Sequence, residues 1–252
     1  MSRPYAGDAL VVIPTYNEVD NIVPIVERTL AAAPTADVLI VDDNSPDGTG
    51  DLGDKLSETH DGVHVLHRER KQGLGVAYRA GFDWALKRDY ESVVEMDADG
   101  SHQPEDVPRL LDGLEVADVA LGSRWVPGGG AENWPWRREL LSRSGNLYAR
   151  MALGLKLRDV TGGFRAFRRK ALEGLPLDGI ESRGFCFQVD LARRAEDAGM
   201  RAVEVPIVFR ERERGRSKMS LGIITEALWR ITGWAFSYRL RQSRHSLADT
   251  AR

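Results

Sequence analysis

Acidic residues follow three of the apolar, strand-like segments in the first half of the chain. They are Glu18, Asp42-Asp43 and Asp97-Ala98-Asp99. Alternate residues of an extended segment point the same way, so Asp97 and Asp99 can reach one cation or one metal-bound diphosphate. Because Mg²⁺ and Mn²⁺ take carboxylate and phosphate oxygens as ligands, the pattern indicates a metal site for a phosphorylated ligand. The alternative interpretation is an Asx-rich turn that ends the strand.

Five apolar runs alternate with helix-like segments before residue 124 and would position those acids. The predicted strands are Ala9 to Ile13, Val38 to Val41, Val63 to Leu66, Ser92 to Met96 and Val119 to Leu121. The predicted helices are Asp20 to Ala32, Thr49 to Ser57, Leu74 to Arg88 and Glu105 to Leu114. This alternation predicts an α/β fold, with a mostly parallel sheet covered by helices on both faces. Ligands of such sheets bind beyond the carboxyl ends of the strands.

The pattern changes after Arg124, but no repeat or low-complexity segment separates a second domain. A glycine-rich break at 127–130 precedes a basic helical segment, Arg137 to Leu153, and a turn is expected at 161–165. A helix, a strand, a charged loop and a terminal helix should follow, at Phe187 to Ala198, Ala202 to Phe209, 210–218 and Leu221 to Leu240.

The composition describes an ordinary globular α/β protein with an uneven distribution of charge. Its 252 residues are 42% hydrophobic and 29% charged, which excludes collagen, coiled-coil, disordered and disulfide-stapled classes. The net charge of −3 averages residues 1–136, with 11 Lys/Arg against 25 Asp/Glu, and residues 137–252, with 24 against 13. The basic half predicts an anionic partner, such as nucleic acid, a membrane surface or a phosphorylated substrate.

Two further features of the sequence limit the class of protein. The single cysteine, Cys186, excludes a Cys-based metal cluster and is expected to be a buried thiol. No stretch reaches the roughly 18 apolar residues that a membrane-spanning helix needs. We therefore expect a cytoplasmic chain whose contact with the membrane is peripheral.

Gly73-Leu74-Gly75 opens a helix after the third strand and partly matches a dinucleotide-binding loop. Tyr78 stands where the third glycine would be, and that fingerprint belongs after the first strand, so a helix start near bound phosphate or sugar is preferred. At the other strand ends, Asp43 could hydrogen-bond a base or ribose. Tyr16 could stack on a base or pack against its own loop.

Taken together, these segments resemble the family 2 inverting glycosyltransferases with a GT-A fold, and more closely the dolichol-phosphate or polyprenol-phosphate mannose synthases. The resemblance spans about residues 8–220. The residues that carry it are Val11 to Glu18, Val41 to Thr49, Asp97 to His102, Gly122-Ser123-Arg124, Asp159 to Arg165 and Gly215 to Lys218.

The resemblance implies a role for each matching residue. Pro14, Tyr16, Glu18, Val41 and Asp43 would hold the guanosine end of GDP-mannose. Asp97, Ala98 and Asp99 would contact the nucleotide and sugar. The metal ligands would be Asp97, Asp99 and Ser101, and the catalytic residues Asp97, Asp99 and Arg124. Ser101, Arg124, Arg212 and Lys218 would also contact the donor. Arg124, Arg138, Ser142, Arg212 and Lys218 would contact the acceptor phosphate. His102 is expected to be an ordinary surface or loop residue.

The reaction implied by the resemblance is transfer of mannose from GDP-mannose to a polyprenyl monophosphate, with Mg²⁺ or Mn²⁺ as cofactor. An anionic phosphate oxygen can attack without a general base, and direct displacement would give a β-linked product. A same-fold alternative uses another donor, such as UDP-glucose. A nucleic-acid-binding module would use the basic half but would leave the acidic strand ends without a purpose, so no nucleic-acid partner is expected.

The expected organisation is a catalytic domain over 1–220, with a nucleotide-binding half at 1–124 and an acceptor half at 125–220. Residues 221–252 would form an amphipathic helix and tail. That helix carries a wide apolar face and ends in a basic segment, so it could lie in a membrane interface or pack on the core. A separate membrane protein is a further expected partner.

Overall fold

The computed structural model describes residues 8–177, 185–211, 225 and 228–236. A seven-stranded sheet with the order β3-β2-β1-β4-β7-β5-β8 forms its centre. Its strands are β1 (Ala9–Thr15), β2 (Ala36–Asp42), β3 (Val63–His67), β4 (Ser92–Glu95), β5 (Val119–Ser123), β7 (Arg165–Arg168) and β8 (Ala202–Pro206). Strands β6 (Gly130–Glu132) and β9 (Val208–Arg210) pair in parallel as a second, small sheet.

Helices connect the strands and cover both faces of the sheet. They are α1 (Ile22–Ala32), α2 (Thr49–Thr59), α3 (Leu74–Leu86), α4 (Val107–Gly113), α5 (Trp136–Leu153), α6 (Arg169–Gly174) and α7 (Phe185–Asp197). A 3₁₀ turn at Pro104–Asp106 precedes α4, and residues 228–236 form a terminal helix. The predicted α/β class and mostly parallel sheet are confirmed, because every pairing is parallel except the two made by β7.

Alternate residues along each central strand supply two separate cores, as the pleat of a strand requires. In β1, Leu10 and Val12 pack with α3, α5 and α7 on one face, whereas Val11 and Ile13 pack with α1 and α4 on the other. Because both faces of the sheet are buried, its central strands consist of continuous apolar runs, and these runs made the strands recognisable in the sequence.

The sequence prediction was wrong where an element is short or changes sheet. The segment predicted as one strand, Ala202 to Phe209, is two strands, with Ile207 between β8 and β9. The predicted turn at 161–165 ends in β7, which was missed along with β6 and α6. The missed elements β6, β7 and α6 each contain charged residues and lack a continuous apolar run, so the local hydrophobic pattern does not indicate them.

One face of the terminal helix packs on the core, which was one of the two roles that the sequence left open, and the membrane-interface role stays a prediction. Ile231 is 2% exposed and joins the core between α3, α5 and α7, whereas Trp229 is 80% exposed. Tyr148 of α5 and Thr232 share a hydrogen bond of 2.6 Å between their hydroxyls. Within the described ranges, none of the helices combines the length and apolar character needed to cross a bilayer.

Close packing of α3 on β1 gives a prediction about stability. A Cβ added at Gly81 would lie 2.4 Å from Cγ1 of buried Val12, so Gly81→Ala should lower the free energy of unfolding by about 1–3 kcal/mol through overpacking. At Gly145 of α5 no atom lies within 4 Å of an added Cβ, so Gly145→Ala should be neutral or stabilising by up to about 1 kcal/mol. Urea denaturation measures both. Equal effects of the two substitutions would contradict this packing.

Candidate active site

The acidic segments predicted from the sequence lie at one edge of the sheet. Strands β2, β1 and β4 are parallel neighbours, so the residues that follow them share the carboxyl edge. This edge holds the segments that begin at Tyr16, Asp43 and Asp97. An α/β sheet binds its ligands at such an edge, so the fold supports a single site here.

Asp97 is held at its backbone and at its carboxylate. The hydroxyl of Tyr78 donates to Oδ1 of Asp97 over 2.9 Å, and the Asp97 amide donates to Nδ1 of His102 over 3.1 Å. His102 is 2% exposed and stacks on Phe164 with ring centroids 4.9 Å apart. His102 therefore lies in the loop after β4, as one of the two expected alternatives had it, but it is buried there rather than on the surface.

Asp99 and Ser101 form the next part of the same segment. Oδ1 of Asp99 accepts the Ser101 amide over 3.0 Å, in the manner of an Asx turn. The Ser101 hydroxyl is buried and makes no hydrogen bond to the residues that the structure describes. Ala98, between the two aspartates, is buried in the core packed against α1 and α4.

These groups suit a divalent cation whose coordination shell is completed by phosphate oxygens. Within the described part of the chain, no three His, Cys, Asp or Glu side chains converge as a ready-made metal cage. Mg²⁺ and Mn²⁺ commonly bind through one or two carboxylates together with the phosphates of a substrate. Asp97, Asp99 and the unpartnered Ser101 hydroxyl suit that mode of binding.

Asp42 and Asp43, which follow one another at the end of β2, have different roles that could not be separated from the sequence. Asp42 is structural, because its Oδ1 accepts the Thr15 hydroxyl over 2.9 Å and its Oδ2 accepts the Ser45 amide over 2.9 Å. Asp43 instead forms an ion pair with Arg68. Burial raises the pKa of the Asp43 carboxyl, and the Arg68 charge only partly offsets that effect.

The other residues predicted to bind the nucleotide differ in accessibility. Pro14 and Tyr16 are half-buried, and the Lys71 ammonium lies 3.8 Å from the centroid of the Tyr16 ring. Glu18 accepts the side-chain amide of Asn21 over 2.8 Å. Val41 is fully buried and packs in the core beneath this edge.

Arg124 is fixed at the end of β5 by a buried carboxylate. Its Nε and Nη2 each donate over 2.7 Å to one oxygen of Asp159, and Nη2 also donates to the Thr161 hydroxyl over 2.9 Å. Burial alone would raise the pKa of Asp159, but the charge and hydrogen bonds of Arg124 hold it below its usual range. The guanidinium is therefore oriented before any ligand binds, and its predicted contact with phosphate stays a prediction.

The basic helix α5 meets Arg124 through aromatic rings. The centroid of the Trp134 ring lies 5.6 Å from the guanidinium carbon of Arg124 and 4.2 Å from that of Arg138. Arg138 also donates to Glu211 over 2.5 Å, and Ser142 lies one turn further along α5. The structure thus brings Arg124 and Arg138 to one aromatic surface. The other two predicted cations, Arg212 and Lys218, lie outside the described residues.

A buried pair that the sequence analysis missed lies beneath the site. Glu95 of β4 faces Arg165 of β7 in the strand register, and both side chains are almost completely buried. Arg165 donates to three backbone carbonyls, those of Val160, Gly162 and Gln188. Burial raises the pKa of Glu95 to about 8 and lowers that of Arg165 to about 10, although the opposite charge of each partner limits the shift. The only sequence signal was a charged residue inside an otherwise apolar strand.

The fold is GT-A-like, as two solved structures show. The glucosyl-3-phosphoglycerate synthase of Mycobacterium tuberculosis, solved with Mn²⁺, UDP and glucosyl-3-phosphoglycerate, matches with a TM-score of 0.63 at 20% identity, over 89% of this chain and 80% of that one. A Pyrobaculum calidifontis mannosyltransferase, solved with GDP-Man and Mn²⁺, matches with a TM-score of 0.58 at 19% identity, over 94% and 66% of the two chains. Both of these neighbours were therefore solved with Mn²⁺ and a nucleotide, which is UDP in the first and the nucleotide sugar GDP-Man in the second.

Residues 10–175 match the family model described as glycosyl transferase family 2, and the chain belongs to that family. The polyprenol monophosphomannose synthase of Mycolicibacterium smegmatis is 53% identical over 93% of this chain and 89% of its own length. The undecaprenyl-phosphate mannosyltransferase of Micrococcus luteus is 53% identical over 91% and 95% of the two chains. The protein is therefore a glycosyltransferase, as the sequence predicted.

The buried Glu95 gives a prediction about pH. Because its folded-state pKa is raised, Glu95 costs no stability below its unfolded pKa near 4.5, and stability is lost as pH rises toward 8. The maximum slope from one such group is about 1.4 kcal/mol per pH unit. Glu95→Gln should remove this fall in the free energy of unfolding, measured in urea at pH 5, 6.5 and 8. The exposed control Glu91→Gln should keep it, and parallel curves for wild type and Glu95→Gln would contradict the prediction.

Proposed function

We propose that the enzyme transfers mannose from GDP-mannose to a polyprenyl monophosphate with inversion, giving polyprenyl phosphate β-mannose and GDP. The observation that carries the proposal is the identity of 53% to two lipid-phosphate mannosyltransferases over more than 90% of this chain. The site supports it, because acidic strand ends suited to a metal-bound diphosphate lie on the same sheet as the oriented Arg124.

The donor would occupy the edge formed by β1, β2 and β4. Guanosine would lie over β1 and β2, near the residues that the resemblance assigns to it, which are Pro14, Tyr16, Glu18, Val41 and Asp43. The pairing of Asp43 with Arg68 and the position of Lys71 over Tyr16 imply that a base must share or displace these cations. For Val41, full burial favours a supporting role over a side-chain contact with the base.

The diphosphate and sugar would lie beyond β4. Asp97 and Asp99, with Ser101, would hold Mg²⁺ or Mn²⁺, and Ala98 would line the floor beneath. When bound, the cation would neutralise the developing negative charge of the departing diphosphate. Arg124, Arg212 and Lys218 would add positive charge around the same phosphates.

The chemical step needs no proton transfer to start it. An oxygen of the lipid phosphate, already anionic near neutral pH, attacks the anomeric carbon of mannose. The bond from that carbon to the GDP oxygen breaks, and GDP leaves with the electron pair. The protein contributes by positioning, since Arg124, Arg138, Ser142, Arg212 and Lys218 would hold the acceptor phosphate in line with the leaving diphosphate.

The acceptor is a lipid, and the exposed surface of α5 and the terminal helix suits a membrane. Of the large exposed apolar side chains in the described ranges, nine belong to these two helices and two, Val76 and Val116, lie elsewhere. The nine are Trp136, Leu140, Leu141, Leu147, Tyr148, Met151, Leu228, Trp229 and Phe236. Arg137 and Arg143 accompany them, as expected for a surface that rests on anionic lipid.

This surface supports a peripheral position on the inner face of the membrane. Residues 1–220 would then be the catalytic domain, with 1–124 binding the donor and 125–220 the acceptor. Residues 221–252 would add membrane contact, and α5 would place Arg138 and Ser142 near the lipid headgroups. A separate membrane protein could bind the same surface.

The activity is tested by incubating the enzyme with labelled GDP-mannose, a polyprenyl phosphate and Mn²⁺, and then extracting lipid. Wild type should form an alkali-stable mannosyl lipid in which the anomeric configuration is β by NMR. Asp99→Ala should reduce the rate by at least about 100-fold because it removes charge stabilisation of the leaving group. The exposed control Asp89→Ala should retain the wild-type rate. Faster transfer from UDP-glucose than from GDP-mannose would overturn the proposed donor.

Membrane contact is tested by vesicle flotation with phosphatidylglycerol and phosphatidylcholine. Met151→Glu combined with Trp229→Glu should weaken binding by about 10-fold or more, because two apolar contacts with the interface are replaced by anions. Val116→Glu is the matched control, since Val116 is 66% exposed and lies outside both helices. The double variant should still act on acceptor dispersed in detergent. If the double variant floated with the vesicles as well as wild type does, the proposed membrane role of this surface would be wrong.

A further inference from the structure

Tyr78 is placed to control the orientation of Asp97. The Tyr78 side chain is completely buried on α3, and its ring is parallel to that of Phe187, with 6.2 Å between centroids and 3° between planes. The ring of Phe82 also stacks on the Tyr78 ring, with 6.3 Å between their centroids. Because these rings fix the Tyr78 side chain, its hydroxyl meets Oδ1 of Asp97 in one geometry.

The two oxygens of the Asp97 carboxylate therefore differ in their hydrogen bonds. Oδ1 is occupied by the Tyr78 hydroxyl, whereas no hydrogen bond from the described residues reaches Oδ2. Gly163 lies beside Oδ2, since a Cβ added there would be in ordinary van der Waals contact with that oxygen at 3.9 Å. The backbone of Asp97 is restrained separately, through the amide hydrogen bond to His102.

We infer that Tyr78 is a positioning residue that aims Oδ2 of Asp97 at the metal-bound diphosphate. This inference rests on the proposed function, because it assumes that Asp97 contacts the donor and its cation. Rotation about χ2 of an aspartate is only weakly restricted, so a carboxylate without such a partner populates several orientations. A hydroxyl that holds one oxygen removes this freedom before the ligand binds, as the partners of metal ligands commonly do.

A purely structural role for the Tyr78 hydroxyl is the competing explanation, and the chain contains a matched control. The Tyr90 hydroxyl donates to Oδ2 of Asp37 over 2.7 Å, and Tyr90 is 1% exposed. Asp37 is the second residue of β2 and Tyr90 precedes β4, so this pair lies at the amino edge of the sheet, opposite the site. Tyr78→Phe and Tyr90→Phe each remove one hydrogen bond from a buried tyrosine to an aspartate and keep the ring.

The experiment measures Mn²⁺ binding by the loss of the free-ion electron paramagnetic resonance signal, with and without GDP. Both variants should have a lower urea midpoint than wild type. Only Tyr78→Phe should weaken Mn²⁺ binding, by about 10-fold or more, and lower kcat, while Tyr90→Phe should stay within about two-fold of wild type. If Tyr78→Phe binds Mn²⁺ like wild type, or if both variants bind it equally poorly, Tyr78 has only a structural role.

The restraint on the Asp97 backbone provides a second pair of variants. Asn and Leu have nearly the same shape, but only Asn retains an acceptor that can replace Nδ1 of His102. His102→Leu should therefore weaken Mn²⁺ binding more than His102→Asn, although both lose the stacking on Phe164. Equal Mn²⁺ affinity in these two variants would contradict the importance of holding Asp97.

The outcomes separate this inference from the proposed function. If wild type binds Mn²⁺ but transfers no mannose, the proposed donor or acceptor is wrong, and the comparison of Tyr78→Phe with Tyr90→Phe still decides the inference. If wild type binds no Mn²⁺ with GDP or with UDP, the metal site at Asp97 and the role of Tyr78 are both overturned.

Discussion

The buried guanidinium of Arg165 is the constraint on which the arrangement of the site depends. Strand β7 pairs with β4 on one side and β5 on the other, and thereby joins the strand before Asp97 to the strand before Arg124. Arg165 lies opposite Glu95 and holds the carbonyls of Val160, Gly162 and Gln188. A buried arginine needs such partners, because an uncompensated charge would be strongly destabilising there. The turn it holds lies beside both Asp97 and Asp159.

Residues on either side of that turn are oriented in advance. Asp159 fixes Arg124 through two hydrogen bonds, and Tyr78 and His102 fix Asp97. Preorganised charges stabilise a leaving diphosphate without reorganising during the reaction, which is the main contribution a protein can make when positioning dominates the chemistry. The uneven charge of the chain follows the same division, because the acidic half supplies the acidic segments at the carboxyl edge and the basic half supplies the arginines of α5.

Much of this could be predicted from sequence, and the failures share a physical cause. The five parallel strands before residue 124 and the helices between them were recognised because local hydrophobic patterns report burial directly. Strands β6 and β7 were missed because they are short and interrupted by charged residues, so neither contains an apolar run. His102 and Glu95 were missed or misjudged because a single polar residue carries no periodic signal, and what buries it comes from other parts of the chain.

The amino-acid sequence was sufficient to identify the α/β class, the family and the acidic residues at the ends of neighbouring strands. These follow from local pattern and from motifs whose order along the chain is fixed. The partners of each charged group became known from the folded structure. Asp42 is bonded to Thr15 and Ser45, Asp43 is paired with Arg68, and Arg124 is held by Asp159, which is 35 residues away in the chain. The state of a carboxylate or guanidinium is set by its neighbours in space and by its burial, and folding brings those neighbours from distant segments.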